Sequence, residues 1–216
     1  MSTIKTCRIL GVNIAVTNMA QTVQYIENNL EELRGKYICV SNVHTTIMAH
    51  DNPAYRNVQN SAAIALPDGK PLSVVSRKRG YTEAERVTGP DLMGELFARK
   101  NGLKHFFYGD KEETLQILQQ KLKEKYPDIQ IAGMISPPFR SLSQEEEKAY
   151  IQQINDSGAD IVWIGLGAPK QENWMYEHQG MLHGVMIGVG AGFSYHAGLI
   201  KRAPKWMQKM SLEWFY

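Results

Sequence analysis

The sequence predicts an α/β domain, Rossmann-like, with a mostly parallel central sheet and helices on both faces. Three observations carry this. Short apolar runs alternate along the chain with longer amphipathic stretches. The runs are too short and too continuously apolar for strands with one wet face, so they fit strands covered on both sides. Right-handed crossovers between parallel strands would then spread the helices over the two faces. With 216 residues, the chain can bury a sizeable core in one domain and carry a small appendage.

Taken in order, "RILGVNI" reads as the first strand. "MAQTVQYIENNLEEL" repeats Val23, Ile26, Leu30 and Leu33 at helical spacing. "KYICVS" and "AAIALP" are the next two strands, and "PDLMGELFARK" is a helix with Thr88 as its candidate cap. "KHFFYG", "IQIAGMI", "DIVWIGLG" and "GVMIGVG" complete the sheet. Between them lie the helices "KEETLQILQQKLKEKY" and "SQEEEKAYIQQIND", the latter opened by Ser143 and Glu146 as a capping box. Residues 1–203 form the α/β domain of this reading, and residues 204–216 a basic, aromatic C-terminal helix.

Composition narrows the function classes. Apolar residues make up 43% and charged residues 21%, as in a soluble globular protein, and a net charge of +2 does not call for nucleic acid. The two cysteines, Cys7 and Cys39, lack metal-ligand spacing and fit a reducing compartment. The N-terminus has no signal-peptide pattern, and no run approaches the roughly 18 apolar residues of a membrane span. A cytoplasmic location is expected, which leaves room for lying on a membrane surface and for a homo-oligomer. There is no His-x-x-x-His, no Cys/His cluster and no Asp-x-Asp, so no metal is expected.

Ligands of such sheets sit beyond the carboxyl ends of the strands. Four motifs follow a strand directly: Asn42 with His44, Asp68 with Gly69, the Gly165–Gln171 turn, and Gly188–Gly192. Asp68 is either ordinary turn chemistry after Pro67 or a base aimed into a cleft. In "GLGAPKQENW", Gly165 and Gly167 permit close backbone approach, and Pro169 fits a first helical turn. The N–H groups of Lys170, Gln171 and Glu172 would then face outward as a phosphate seat, with the Lys170 ammonium beside them. The alternative is a tight strand-to-helix turn with no ligand. "GVGAGFSYHAG" is Gly-x-Gly-x-Gly with Gly190 at its centre, not the dinucleotide fingerprint, which opposes a nicotinamide-dependent oxidoreductase. Tyr195 and His196 either stack on a base or cap the core. Arg86, just before a helix, is either a diphosphate clamp or a solvated loop residue.

In sequence, "LPDG", "RVTGPDLM", "GLGAPKQE", "GVGAGFSYHAG" and "RAPKWMQKMSLEWFY" resemble the WecG/TagA/CpsF glycosyltransferase family, from about Gly11 to Tyr216. The resemblance implies an inverting transferase that needs no cofactor or metal. It would move N-acetylmannosamine, or a related hexose, from a UDP-sugar to a polyprenyl-diphosphate-linked N-acetylglucosamine, in teichoic acid, enterobacterial antigen or capsule synthesis. By the same resemblance Asp68 is the catalytic base, Arg86 and Gln171 orient sugar and diphosphate, and Asn42 matches the family's asparagine. Gly69, Gly165, Gly167, Lys170, Gly190, Ser194 and Tyr195 are expected to line the substrate site. Two positions depart from the family pattern: Val40 replaces a threonine, and Ser194 replaces an acid near the nucleotide base. They keep open a non-catalytic module that binds a nucleotide sugar or a lipid. The family continues past "LEW-hydrophobic-Tyr" into an arginine-bearing tail that helps close the site and hold the membrane. Here Lys201, Arg202, Lys205 and Lys209 with Trp206 and Trp214 would begin that contact, the alternative over residues 204–214 being a terminal helix docked on the sheet by its tryptophans, and the chain is expected to be cut before the tail. The enzyme is then expected to be peripheral on the cytoplasmic face of a bacterial membrane.

Overall fold

The chain begins with a hairpin where one strand was expected. β1 (Thr6–Ile9) and β2 (Val12–Ala15) pair antiparallel around Leu10 and Gly11, whose φ values of 47° and 89° make a two-residue turn that suits strand twist. The expected helix from Met19 to Leu33 is likewise broken, into α1 (Met19–Asn28) and α2 (Leu30–Leu33). Asn29 causes the break: both its backbone N–H and its side-chain Nδ2 donate to the Tyr25 carbonyl. A side chain competing for the helix ladder is the usual reason asparagine interrupts one. The computed structural model describes residues 4–201. The helix expected over residues 204–216 lies outside them.

β3 (Tyr37–Ser41), α3 (Val43–Asp51), α4 (Pro53–Ser61), β4 (Ile64–Pro67), α5 (Lys70–Lys78) and α6 (Gly89–Phe97) follow. Next come β5 (Lys104–Gly109), α7 (Glu112–Lys125), β6 (Gln130–Ile135) and α8 (Gln144–Asp156). β7 (Ile161–Gly165), α9 (Lys170–Glu177), β8 (Val185–Gly188) and α10 (Gly192–His196) complete the order. The expected caps are present. Thr88 accepts from the Asp91 N–H at the start of α6, and Ser143 with Glu146 forms the capping box of α8. No helix was expected over α3, α4 or α5, although α4 and α5 are amphipathic. Their starts are set locally, by the Asn42 capping box, by Asn52 with Pro53, and by Gly69 with Pro71.

The sheet has eight strands in the order β1-β2-β4-β3-β8-β7-β5-β6, and every neighbouring pair except β1–β2 is parallel. Successive strand residues feed opposite cores. Ile38, Leu66, Phe107, Trp163 and Ile187 pack with Val23, Leu92 and Leu118 on one face. Tyr37, Ala65, Tyr108, Val162 and Met186 pack with Tyr55, Ile154 and Met175 on the other. The expected helix-covered, mostly parallel sheet is therefore observed. Each large apolar side chain buried this way contributes about 1.5–3 kcal/mol.

The connections part company above the strand ends. α3, α5, α8 and α9 leave toward one face, where Ala49, Leu72, Ile154 and Met175 are buried. α7 and α10 leave β5 and β8 toward the other, where Leu115 and Phe193 are buried. Chain that diverges in this way opens a crevice over the carboxyl edge of the sheet.

Candidate active site

Asp68 ends β4. Its N–H donates to the Ser41 carbonyl at 2.7 Å, which extends the β3–β4 ladder by one residue. Gly69 follows with φ 98°, a conformation that L side chains rarely adopt, and turns the chain into α5. A second segment is tied alongside: the Val87 N–H donates to the Pro67 carbonyl, and the Glu85 N–H to that of Thr17, both at 2.9 Å. The residue between them, Arg86, is thereby brought to Asp68. Arg86 Nε lies 3.8 Å from Asp68 Oδ1, with the two side chains 22% and 28% exposed. A ligand can reach the pair, yet it is shielded enough for charge to act more strongly than in water. Arg86 also lines a groove of about 650 Å³ with Pro90, Lys125, Tyr126, Tyr195 and His196.

Asn42 stands beside Asp68 on the neighbouring strand end. Its Oδ1 accepts from the Thr45 N–H, and its N–H donates to Thr45 Oγ1, so its side chain caps α3. His44 is exposed on that helix. Val40 packs in the same apolar cluster as Leu66 and Val87 and brings no polar group to the site.

The Gly165–Gln171 turn differs from its expected form in one respect. Pro169 is the N-cap of α9 and not a first-turn residue, and the Gln171 N–H already donates to the Gly167 carbonyl at 2.9 Å. That donor is therefore not available to a phosphate, because it closes a turn on Gly167 at the entry to α9. The Gln171 side chain, 4% exposed, is engaged inside the protein. Its Oε1 accepts from the Gly190 N–H at 3.0 Å, and its Nε2 donates to Glu172 Oε1 at 2.7 Å. Gly188 leaves it room: a Cβ there would come within 3.1 Å of Nε2.

Glu172, only 1% exposed, continues a buried polar chain. The Tyr55 hydroxyl donates to its Oε2 at 3.1 Å and accepts from Gln59 Nε2, and Ser41 Oγ donates to Gln59 Oε1. Burial raises the Glu172 carboxyl above its ordinary value, with hydrogen bonds from Gln171 and Tyr55 opposing the shift. This chain of side chains ties the ends of β3, β7 and β8 into one unit. Sequence reading reached Gln171 and the Glu172 N–H but passed over the side chains of Glu172, Tyr55 and Gln59, because distant contacts give no local signal.

Ser194 and Lys170 lie further along the edge. Ser194 Oγ donates to Asp110 Oδ2 at 3.0 Å, so a carboxylate stands beside this serine although it comes from another element. Asp110 was also missed, though it follows β5 directly and met the same positional test as the other four motifs. Lys170 and Leu166 form one wall of a cavity of about 280 Å³ whose other lining includes Tyr108, Arg140, Trp174 and Phe139. Phe139 is 85% exposed. Trp174 is stacked between Tyr108 and His178, with ring centroids 4.7 and 4.2 Å away. Among the described residues, no three or more His, Cys, Asp or Glu side chains group so as to hold a metal ion.

The site thus gathers a carboxylate–guanidinium pair, a buried amide–carboxyl chain and a second carboxylate along one sheet edge. Proteins similar to this chain in sequence are sugar transferases. Over 204 residues, 93% of this chain and 78% of the relative, it is 29% identical to the N-acetylglucosaminyldiphosphoundecaprenol N-acetyl-beta-D-mannosaminyltransferase of Bacillus subtilis (strain 168). Over 213 residues, 96% of this chain and 82% of the relative, it is 30% identical to the protein of the same name from Staphylococcus aureus (strain NCTC 8325 / PS 47). Residues 7–216 match the model of the glycosyl transferase WecG/TagA/CpsF family, and the chain belongs to that family.

Proposed function

We propose that this protein transfers N-acetylmannosamine, or a closely related hexose, from UDP to N-acetylglucosamine on a polyprenyl diphosphate, with inversion and without a metal. One spatial relation carries the reading. The Asp68–Arg86 pair and the Asp110–Ser194 pair stand on the same carboxyl edge, at the ends of β4 and β5. Four strand spacings separate those ends, roughly 19 Å at about 4.8 Å each. An extended nucleoside diphosphate sugar spans such a distance, with its nucleoside over β5 and β7 and its sugar near β3 and β4.

In this arrangement the Asp68 carboxylate accepts the proton of the acceptor hydroxyl as that oxygen bonds to the anomeric carbon. The bond from that carbon to the diphosphate oxygen breaks on the opposite face, and UDP departs with the electron pair. Back-side attack inverts the anomeric centre. Charge on the departing diphosphate is met by the cations of Arg86 and Lys170, the work an ion would otherwise do. Gln171 acts by holding the Gly190 turn. No described helix is long and apolar enough to cross a membrane, and the proposed acceptor brings the enzyme to the cytoplasmic face of the bilayer.

The test is incubation with UDP-N-acetylmannosamine and a short polyprenyl-diphosphate-N-acetylglucosamine analogue, with and without EDTA, with products identified by mass and anomeric configuration by NMR. The expected product is the acceptor plus one β-linked N-acetylhexosamine, formed equally in EDTA. An α-linkage, or activity abolished by EDTA and restored by a divalent ion, would overturn the mechanism.

A further inference from the structure

We infer that Asp110 is a specificity-determining residue that reads the donor's nucleoside, its carboxylate accepting hydrogen bonds from the ribose hydroxyls. The inference rests on the nucleotide-sugar reading above and assigns one residue within it.

The backbone is the first reason. Among the described residues, only Leu10 and Asp110 are non-glycine with positive φ. Leu10 is accounted for by the β1–β2 hairpin. Asp110, at φ 57°, sits in a strand-to-helix turn, where any glycine would adopt the conformation without strain. A non-glycine residue held at positive φ at a strand's carboxyl end is a recurring sign of function, and aspartate is among the few side chains that take up this conformation singly.

The second reason is how firmly the turn is held. Gly109 lies so close to β7 that a Cβ on it would come within 2.5 Å of the Gly165 backbone. The Asp110 N–H donates to the Gly165 carbonyl at 3.1 Å, and its own carbonyl accepts from Ser136 Oγ at 2.8 Å. The side chain is oriented as well: Oδ1 accepts from the Lys111 N–H at 2.8 Å and Oδ2 from Ser194 Oγ at 3.0 Å. The ends of β6 and β7 therefore hold the Asp110 backbone and α10 its half-buried carboxylate, at the point where α7 and α9 leave for opposite faces.

The third reason is chemical. An ionised carboxylate only accepts, and its two oxygens offer about four acceptor positions. Two are taken by Lys111 and Ser194. The others suit neighbouring hydroxyls, and an acid on a ribose diol is the recognition used by other doubly wound nucleotide sites. Ser194 is in this account a positioning residue: it aims the carboxylate without touching the ligand.

Calorimetry on the full chain with UDP and with 2′,3′-dideoxy-UDP tests this. Asp110→Asn keeps the shape and tolerates positive φ, and is expected to weaken UDP binding about 10- to 100-fold. The same variant should bind dideoxy-UDP as the wild type does. Asp110→Gly suits the positive φ and deletes the carboxylate, so it should lose the same affinity while still melting as a cooperatively folded protein. Ser194→Ala should show a smaller loss. Wild-type UDP affinity in both Asp110 variants, or an equal loss for dideoxy-UDP, would overturn the assignment. A wild-type chain that binds no UDP would instead remove the nucleotide-sugar reading, and this inference with it.

Discussion

The Asp68 carboxylate and the Arg86 guanidinium meet at 3.8 Å because the Val87 N–H is bonded to the Pro67 carbonyl, the residue just before Asp68. One backbone hydrogen bond thus joins a carboxylate and a guanidinium that lie 18 positions apart in the chain. Asp68→Asn preserves the shape of the pair and removes the acceptor. It is expected to lower kcat by about 10²–10⁴ while leaving UDP affinity within a few-fold of the wild type, measured by single-turnover transfer and by calorimetry. A variant that keeps most of the wild-type rate would show that the proton goes elsewhere.

Gln171→Ala removes a buried amide and leaves its two partners in place. The Gly190 N–H and Glu172 Oε1 would lose their bonds to it, at a cost of about 1–3 kcal/mol each way the group is desolvated. Urea denaturation should show a lower midpoint with an unchanged slope. Turnover should fall as well, because the β8 turn is no longer held. Unaltered stability would mean that solvent or a neighbour replaces the amide.

Glu172 sets a pH dependence. Its carboxyl is raised in the folded protein by burial, so the native state binds the extra proton more readily than the unfolded chain. The contribution is complete below the ordinary carboxylate value and is lost as pH rises through the raised one. Glu172→Gln should therefore gain stability relative to the wild type as pH increases from about 4.5. Thermal melts of both proteins across this range check it, and parallel curves would contradict it.

His105 works in the opposite direction. It is 2% exposed, its Nδ1 accepts from Trp163 Nε1 at 3.2 Å, and burial pulls its pKa down to about 4. Since the unfolded histidine titrates near 6.5, stability is full above that pH and is lost as pH falls toward 4. The loss over that window is on the order of 3 kcal/mol. His105→Asn keeps an acceptor for the indole and should flatten the dependence, read by urea denaturation at several pH values.

Much of the fold was legible because its strands are short apolar runs covered on both faces, a pattern that survives without knowledge of neighbours. Gly11 and Asn29 were not legible as breaks. Each acts through local backbone chemistry that an apolar count ignores, one by permitting a hairpin turn and the other by bonding back to Tyr25. α3 was missed because its cap, more than apolar periodicity, defines it, whereas α4 and α5 are amphipathic helices whose pattern was passed over. In the site, Asp68, Gln171 and Ser194 were found by position and by resemblance. Asp110 and Glu172 became visible only through their partners at 84 and 117 positions' distance, Ser194 and Tyr55.

The sequence by itself determined that this is a helix-covered parallel sheet with polar residues after its strands, since hydrophobic burial and turn chemistry act over a few residues at a time. Tertiary structure decided which of those residues meet. Arg86 reaches Asp68, Ser194 reaches Asp110, and Gln171 turns inward to Gly190, because strand order and crossover direction bring remote strand ends to one edge. Hydrogen bonds and charge act over a few ångströms in space, and no spacing along the chain encodes that distance.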